Sequence, residues 1–441
     1  MPALPSLDRF GVNWAGRGVA VVGLARSGIA AVRLLQRVGC RIRVTELRHT
    51  EELASVAQRL QAAGVERIEL GAHTRETVAG CDVVVVSPGI PASAPPIQWA
   101  RQHNIPIISE IELAFRFCPS PVVAVTGTNG KSSVVTLIAR LLQAAKRPTV
   151  ACGNLGIPFS DVVPTLTARS IAVVEVSSFQ LTCCDTFRPT IAVLLNIGTN
   201  HLDWHANRAS YIEAKARLFQ RQTPEDYAVL NANDPEVERI AVQVRAQRVW
   251  FGTSDRNAPS WQLEPQTCRQ LSENVQAVFQ VGRVLGVPDP LIYQVVREFP
   301  GLEHRLEYVA TVHGVRVIND SKSTTPDSFL YALRQCQGPV VPIIGGRDKG
   351  MDFRSVSDAL SHERVRGVVL IGEARSRLRT LLNGSTATKE CETLADAMRQ
   401  ALAFARPGDT ILFSPACASF DMFRNFEERG HHFKQLIWQS R

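Results

Sequence analysis

A chain of 441 residues that is 45% hydrophobic and 20% charged has the composition of a folded globular protein, and its length suggests about three domains of roughly 150 residues each. That excludes a disordered chain and a disulfide-stapled mini-protein. The net charge of +8 suits anionic ligands, but Lys and Arg are dispersed with no aromatic-interleaved basic patch, so nucleic acid is not an expected partner. No apolar run reaches the roughly 18 residues needed to span a bilayer. The start MPALPSLDRFGVNW lacks the basic-then-apolar order of a secretory signal, so a cytoplasmic location is expected. The ten cysteines are scattered, Cys183 and Cys184 are adjacent, and none has zinc-site spacing, which predicts reduced thiols.

Along the chain, Val- and Ile-rich runs alternate with amphipathic stretches, the pattern of βαβ units on parallel sheets. Residues 1–116 form a first block with strands expected at 18–24, 41–46 and 82–89. After the first strand, Gly23-Leu24-Ala25-Arg26-Ser27-Gly28 is a degenerate dinucleotide-binding turn, and Glu46 is the acid at the end of the second. Alone, these features would suggest NAD. Residues 117–300 open after Cys118-Pro-Ser-Pro, place strands at 121–127, 171–178 and 190–196, and close at Pro300-Gly301. Residues 301–441 hold expected strands at 315–321, 339–346, 365–372 and 409–416, then a helical pattern from Met422 to Trp438. The expected fold class is α/β in three domains: N-terminal Rossmann-like, a central P-loop-type mononucleotide-binding parallel sheet, and C-terminal Rossmann-like. No short-period repeat is present, which excludes a solenoid.

The strongest local signal is PVVAVTGTNGKSSVVTLIARLL, in which an apolar strand, a Gly turn and a helix aim backbone N–H groups and a helix dipole at an anion. Gly127 and Gly130 allow close backbone approach to phosphate, with Thr128 and Asn129 between them. Lys131 can reach terminal phosphates, and Ser132, followed by Ser133, can offer a hydroxyl to Mg²⁺. Val125 stands where the strict Walker pattern has its first Gly. Glu175 at a strand end is a hard oxygen donor suited to Mg²⁺, whereas His201 and Lys215 taken singly read as a loop histidine and a helix-surface lysine.

Together, TGTNGKSS, EVSSFQL, NHLDWH, YIEAKARLF, NDSKST, GGRDKGMDF and SPACASFDMFRNFEERG resemble the Mur ligase family over nearly the whole chain. That resemblance implies a three-domain enzyme coupling ATP hydrolysis to amide-bond formation, with UDP-N-acetylmuramoyl-L-alanine and D-glutamate as substrates and a monomeric state. It implies that Lys131 and Ser132 serve ATP and a first Mg²⁺ shared with Glu175, while His201 and a carbamylated Lys215 hold a second. A carbamate turns a neutral amine into an anionic oxygen ligand, which plain lysine cannot be. Asn154, Ser177, Ser178 and Gln180 would line the muramoyl side of the cleft. Gly23, Ser27, Glu46 and the turn Ser87-Pro88-Gly89 would meet the uridine diphosphate. Arg305 and Asp320 would contact the nucleotide, Lys322 and Thr324 the incoming amino acid and acyl phosphate. Lys349, Ser419, Phe420 and Phe426 would hold D-glutamate, where a cation and hydroxyls suit a dicarboxylate. The chain departs from the family between Phe251 and Ala277, where only Ser272-Glu273-Asn274 matches the usual His-Asn-x-x-Asn segment; Asn274 is the remaining adenine candidate. The nearest rival, the folylpolyglutamate synthases, lacks the N-terminal block. A dehydrogenase leaves TGTNGKSS unused, and a non-catalytic nucleotide-binding regulator is the third reading.

Overall fold

The Val-rich runs form strands buried on both faces, and alternate residues of each run feed opposite cores. Val19 and Val21 of β1 (Gly18–Val22) pack into one apolar cluster while Ala20 and Val22 pack into another. The computed structural model describes residues 4–154, 156–198, 205, 207–252 and 269–439. Within β2 (Arg41–Glu46), β3 (Arg67–Leu70), β4 (Val83–Val86) and β5 (Ile107–Ser109) the same logic holds best at β4, whose four valines are all buried. These strands form a parallel sheet in the order β3-β2-β1-β4-β5. The strand order reverses at β1, with β2 and β3 on one side and β4 and β5 on the other, so the Gly23 turn and the Ser87-Pro88-Gly89 turn meet where such sheets bind ligands.

A second parallel sheet, ordered β11-β10-β9-β6-β8-β7, comprises β6 (Val122–Thr126), β7 (Thr149–Gly153), β8 (Ile171–Glu175), β9 (Ile191–Leu194), β10 (Tyr227–Asn231) and β11 (Gln247–Phe251). Here the crossovers diverge to either side of β6, which puts the glycine loop after β6 at the switch point. One core runs from Trp14 through Phe115 and Phe159 to Val237, joining this sheet to the first. A buried carboxylate reinforces the join: Glu112, on the helix Glu110–Phe117, accepts from Arg116 Nε at 3.0 Å and from the backbone N–H groups of Asp185 and Thr186, each at 3.1 Å.

The chain divides into two compact units, Met1–Gln262 with Ser272–Glu298, and Leu263–Leu271 with Phe299–Arg441. The second holds β12 (Glu307–Val312), β13 (Val315–Asn319), β14 (Val340–Gly345), β15 (Val368–Ile371), β16 (Thr388–Glu390) and β17 (Thr410–Phe413), ordered β12-β13-β17-β14-β15-β16. This sheet is mixed, because β12 pairs antiparallel with β13 while the other pairings are parallel. His313 and Gly314 join the two strands at φ +48° and +78°, the left-handed pair that a tight hairpin needs. The C-terminal helix begins at Phe426, four residues later than Met422, because Met422 and Phe423 donate back to Ser419 O in a turn.

Candidate active site

The loop after β6 is shaped by two glycines and anchored from outside. Gly127 and Gly130 have φ of +153° and +87°, and a Cβ on Gly130 would collide with the Asn274 side-chain amide. Asn274 therefore lies against the loop itself. Beyond β9, Asn196 Oδ1 accepts from Thr128 N at 3.1 Å and Asn129 N at 2.8 Å. Those two donors are committed within the protein. The groups left to face an anion are the first-turn N–H groups of the helix Lys131–Ala144, which no intrahelical carbonyl can satisfy. Thr128 Oγ1 lies 2.9 Å from Tyr211 OH, which fixes the loop to the helix Arg208–Ala216.

Two lysines converge on one carbonyl. Lys131 Nζ donates to Gly127 O at 2.8 Å and Thr128 O at 3.0 Å, and Lys215 Nζ also donates to Gly127 O at 2.8 Å. Lys215 is 2% exposed, so it is no surface lysine. Burial, and then the Lys131 charge, push its amine well below the ordinary lysine range, with Glu175 opposing. Glu175 ends β8 opposite Val125 and is 3% exposed; its Oε1 accepts from Asn154 Nδ2 at 2.8 Å. The expectation for His201 falls outside the described residues. Nearby, His205 Nε2 is 3.0 Å from Ser178 Oγ, and its buried ring stacks on Phe179 and meets Tyr211 edge-on.

At the first sheet, Ser87, Pro88, Gly89 and Gln180 line one cavity of about 200 Å³ together with Arg101 and Phe179. The turns around it interlock. A Cβ on Gly23 would come within 2.9 Å of the Ser87 side chain, whose hydroxyl donates to Gly23 O at 3.1 Å. Ser177 caps the helix Ser178–Thr182 reciprocally with Gln180. Ser27 sits half-buried on the first turn of the helix Arg26–Arg37. Glu46 accepts from Leu24 N at 2.9 Å and Arg48 Nε at 3.0 Å; burial raises its pKa, but these bonds outweigh it and hold it at about 2.

In the second unit, the loops after β13, β14 and β17 gather at the carboxyl ends of adjacent strands. Asp320 accepts from Leu306 N at 3.1 Å and Ser414 Oγ at 2.8 Å, and burial pushes its pKa up to about 7 against both bonds. Arg305, half-buried, directly precedes Leu306, whose N–H meets that carboxylate. Arg429, 1% exposed, donates to Ser321 O at 2.7 Å, Ser321 Oγ at 3.1 Å and Cys417 O at 3.1 Å, so one guanidinium ties two of the loops together. Lys322 Nζ lies 5.5 Å from the Phe426 ring centroid, and Lys349 Nζ lies 5.9 Å from that of Phe420. Phe420 is 64% exposed, so it is not a core aromatic; Ser419 is buried and Thr324 half-buried.

Three family models match in succession: the Mur ligase MurD-like N-terminal domain at residues 17–109, the Mur ligase middle domain at 125–285, and the Mur ligase glutamate ligase domain at 304–417. A UDP-N-acetylmuramoylalanine--D-glutamate ligase from Koribacter versatilis is 37% identical over 96% of this chain and 97% of its own. The chain belongs to the Mur ligase family. Another relative of that name, from Geobacter metallireducens, is 40% identical over 96% of this chain and 97% of its own. The crystal structure of UDP-N-acetylmuramate-alanine ligase MurC from Thermotoga maritima shares the fold at a TM-score of 0.60 and 16% identity, covering 96% of this chain and all of that one.

Reading the motifs missed four residues that organise these loops and the cavity. Asn196 and His205 lie in or beside the quoted segment NHLDWH, but neither carries a signal that separates it from an ordinary loop residue. Arg429 sits inside SPACASFDMFRNFEERG, where its burial was not legible. Arg101 reaches the cavity from the helix Pro95–Gln102, and no local pattern announces that.

Proposed function

We propose that this chain is an ATP-dependent ligase that joins D-glutamate to UDP-N-acetylmuramoyl-L-alanine in peptidoglycan precursor synthesis, as a cytoplasmic monomer. The observation that carries the reading is the buried group at the end of β6: Lys131 and Lys215 on one loop carbonyl, with Glu175 at the end of the neighbouring strand. The substrates come from the names of relatives aligned over nearly the whole chain. In this reading residues 1–116 bind the uridine substrate, 117–300 bind ATP, and 301–441 supply amino-acid and nucleotide contacts. The N-terminal match at 17–109 argues against the folylpolyglutamate alternative. No helix among the described residues is long and apolar enough to cross a membrane.

Lys131 would exchange its loop carbonyls for phosphate oxygens, while the first-turn N–H groups of Lys131, Ser132 and Ser133 face the same anion. The remaining loop residues, Gly127 to Gly130, keep the backbone close enough for that contact, with Asn274 behind Gly130. Buried hydroxyl and carboxylate donors at Ser132 and Glu175 fit Mg²⁺. Lys215, its amine pushed well below the ordinary lysine range by burial and the Lys131 charge, would add carbon dioxide; as a carbamate it would present oxygens, with His201, to a second Mg²⁺. Bound there, the two ions would neutralise charge on the transferred phosphoryl group. The alanyl carboxylate takes the γ-phosphoryl group, the D-glutamate amine attacks the acyl phosphate, and amide and phosphate result. Gly23, Ser27, Glu46, Ser87, Pro88, Gly89, Asn154, Ser177 and Gln180 would orient the uridine substrate. Arg305 and Asp320 would contact the nucleotide, and Lys322 would meet the acyl phosphate. Thr324, Lys349, Ser419, Phe420 and Phe426 would hold D-glutamate.

The test is phosphate release with ATP, Mg²⁺ and UDP-N-acetylmuramoyl-L-alanine, offering D-glutamate, L-glutamate, L-lysine or meso-diaminopimelate in turn. Release is expected with D-glutamate alone and is expected to disappear in Lys131→Ala. Release with none of the four, or unchanged release in the variant, overturns the proposal.

A further inference from the structure

The turn that enters β12 carries Glu303 and His304, and the helix Phe426–Gln439 presents His431 and Lys434 to it. His304 is 2% exposed, has a left-handed φ of +63°, and is wedged against Gly430, where any Cβ would overlap its ring. The His431 ring stands edge-on to it, with centroids 4.6 Å apart at 88°. Both imidazoles aim at one oxygen: His431 Nε2 lies 3.0 Å and His304 Nε2 3.9 Å from Glu303 Oε1. His304 Nε2 is sealed from solvent and has no hydrogen-bond partner, a costly state for a buried polar atom. Burial lowers the His304 pKa against the pull of Glu303 and Glu307.

We propose that Glu303 Oε1, His304 Nε2 and His431 bind a divalent cation of the zinc, cobalt or nickel class. Two imidazoles with one carboxylate form a donor set suited to such ions and leave a fourth position for water. The ligand atoms lie within 4.8 Å of one another, and tetrahedral bonds of about 2.0–2.1 Å would bring them to about 3.3 Å, a small side-chain contraction. Lys434 shares Glu303 Oε1 but also donates to Glu307 Oε1 at 2.9 Å, so an arriving cation leaves it with a partner. Glu307 completes the outer shell. With a metal on Nε2 the ring proton moves to Nδ1, and Glu307 Oε2 is 3.7 Å away to accept it. Asn319 Nδ2, now 3.0 Å from Nδ1, retains Glu307 Oε2 at 3.0 Å and Gly430 O at 3.4 Å as acceptors. The His304 carbonyl accepts from Lys322 N at 3.0 Å, so the cation would stiffen the turn that presents Arg305 and Lys322.

The experiment titrates the metal-free full-length protein with Co²⁺, and with Zn²⁺ in competition, in saturating Mg²⁺ to fill the hard-oxygen sites. The readouts are the visible Co²⁺ absorption and calorimetric affinity. His431 is half exposed, so His431→Ala should fold normally and keep wild-type turnover in saturating Mg²⁺ with no Co²⁺ or Zn²⁺ added. Its Co²⁺ affinity is expected to fall by at least the 10–100-fold that loss of an outer-shell partner costs, with Glu307→Gln inside that range. Equal affinity in wild type and His431→Ala, or no saturable Co²⁺ absorption in wild type, overturns the proposal. Binding is read without turnover, so failure of the ligase reading would leave this result standing by itself.

Discussion

Asp320 is enclosed by Leu306 N and Ser414 Oγ, two neutral donors, while Arg305 and Arg429 act on it only through space. Burial therefore dominates, and the carboxyl titrates near 7 instead of the ordinary 3.8. Between those values the folded chain keeps a proton that the unfolded chain releases, so stability must fall as pH rises from about 4 to about 7. The difference corresponds to about 4 kcal/mol at most. Asp320→Asn removes the titration yet can keep both contacts, with its oxygen toward Leu306 N and its amide toward Ser414 Oγ, which can accept. Urea midpoints of the second unit measured from pH 5 to pH 8 should decline in the wild type and stay flatter in Asp320→Asn. Parallel slopes would show that Asp320 ionises normally.

At the scale of elements, the glycine loop is legible as strand, turn and helix, because Gly127, Gly130 and Lys131 form a local pattern with a local physical cause. What holds that loop is not legible. Asn196 is 67 residues from Asn129, and nothing in its neighbourhood shows that its oxygen gathers two loop N–H groups. Lys215 divides the same way: its motif carries the family resemblance, but its burial against Gly127 and Lys131 depends on how the helix Arg208–Ala216 packs. The hairpin β12-β13 was missed because the edge strand β12 buries only Ala310 and Val312 fully and so gives little apolar signal, although His313-Gly314 marks the turn. Asn196→Ala tests the anchoring idea. The variant frees Asn129 N, while Thr128 N keeps the Asn196 backbone carbonyl at 2.9 Å; one freed N–H in a partly buried loop costs on the order of 1–3 kcal/mol, part of which water recovers. The KM for ATP should rise about tenfold, which corresponds to about 1.4 kcal/mol, with the KM for the uridine substrate unchanged. A rise in both constants together would mean that the variant loosens the whole unit and not the loop.

On the scale of the whole chain, each compact unit encloses its own apolar clusters: Trp14 to Ala246 in the first, and two clusters on opposite faces of the mixed sheet in the second. Separate cores imply separate cooperative transitions. Among the described residues Trp14, Trp99 and Trp250 fall in the first unit and Trp438 in the second. Fluorescence of a variant carrying W204F, W261F and W438F therefore reports the first unit alone, while far-ultraviolet circular dichroism reports both. If the cavity lined by Ser87, Gly89, Arg101 and Gln180 takes the uridine substrate, ligand at one hundred times its Kd stabilises that unit by about 2.7 kcal/mol. The fluorescence midpoint in urea should then move up with the substrate, while a second phase in the dichroism stays where it was. A single transition that moves as one would mean that the two units unfold together, and an unmoved fluorescence midpoint would remove the substrate from that cavity.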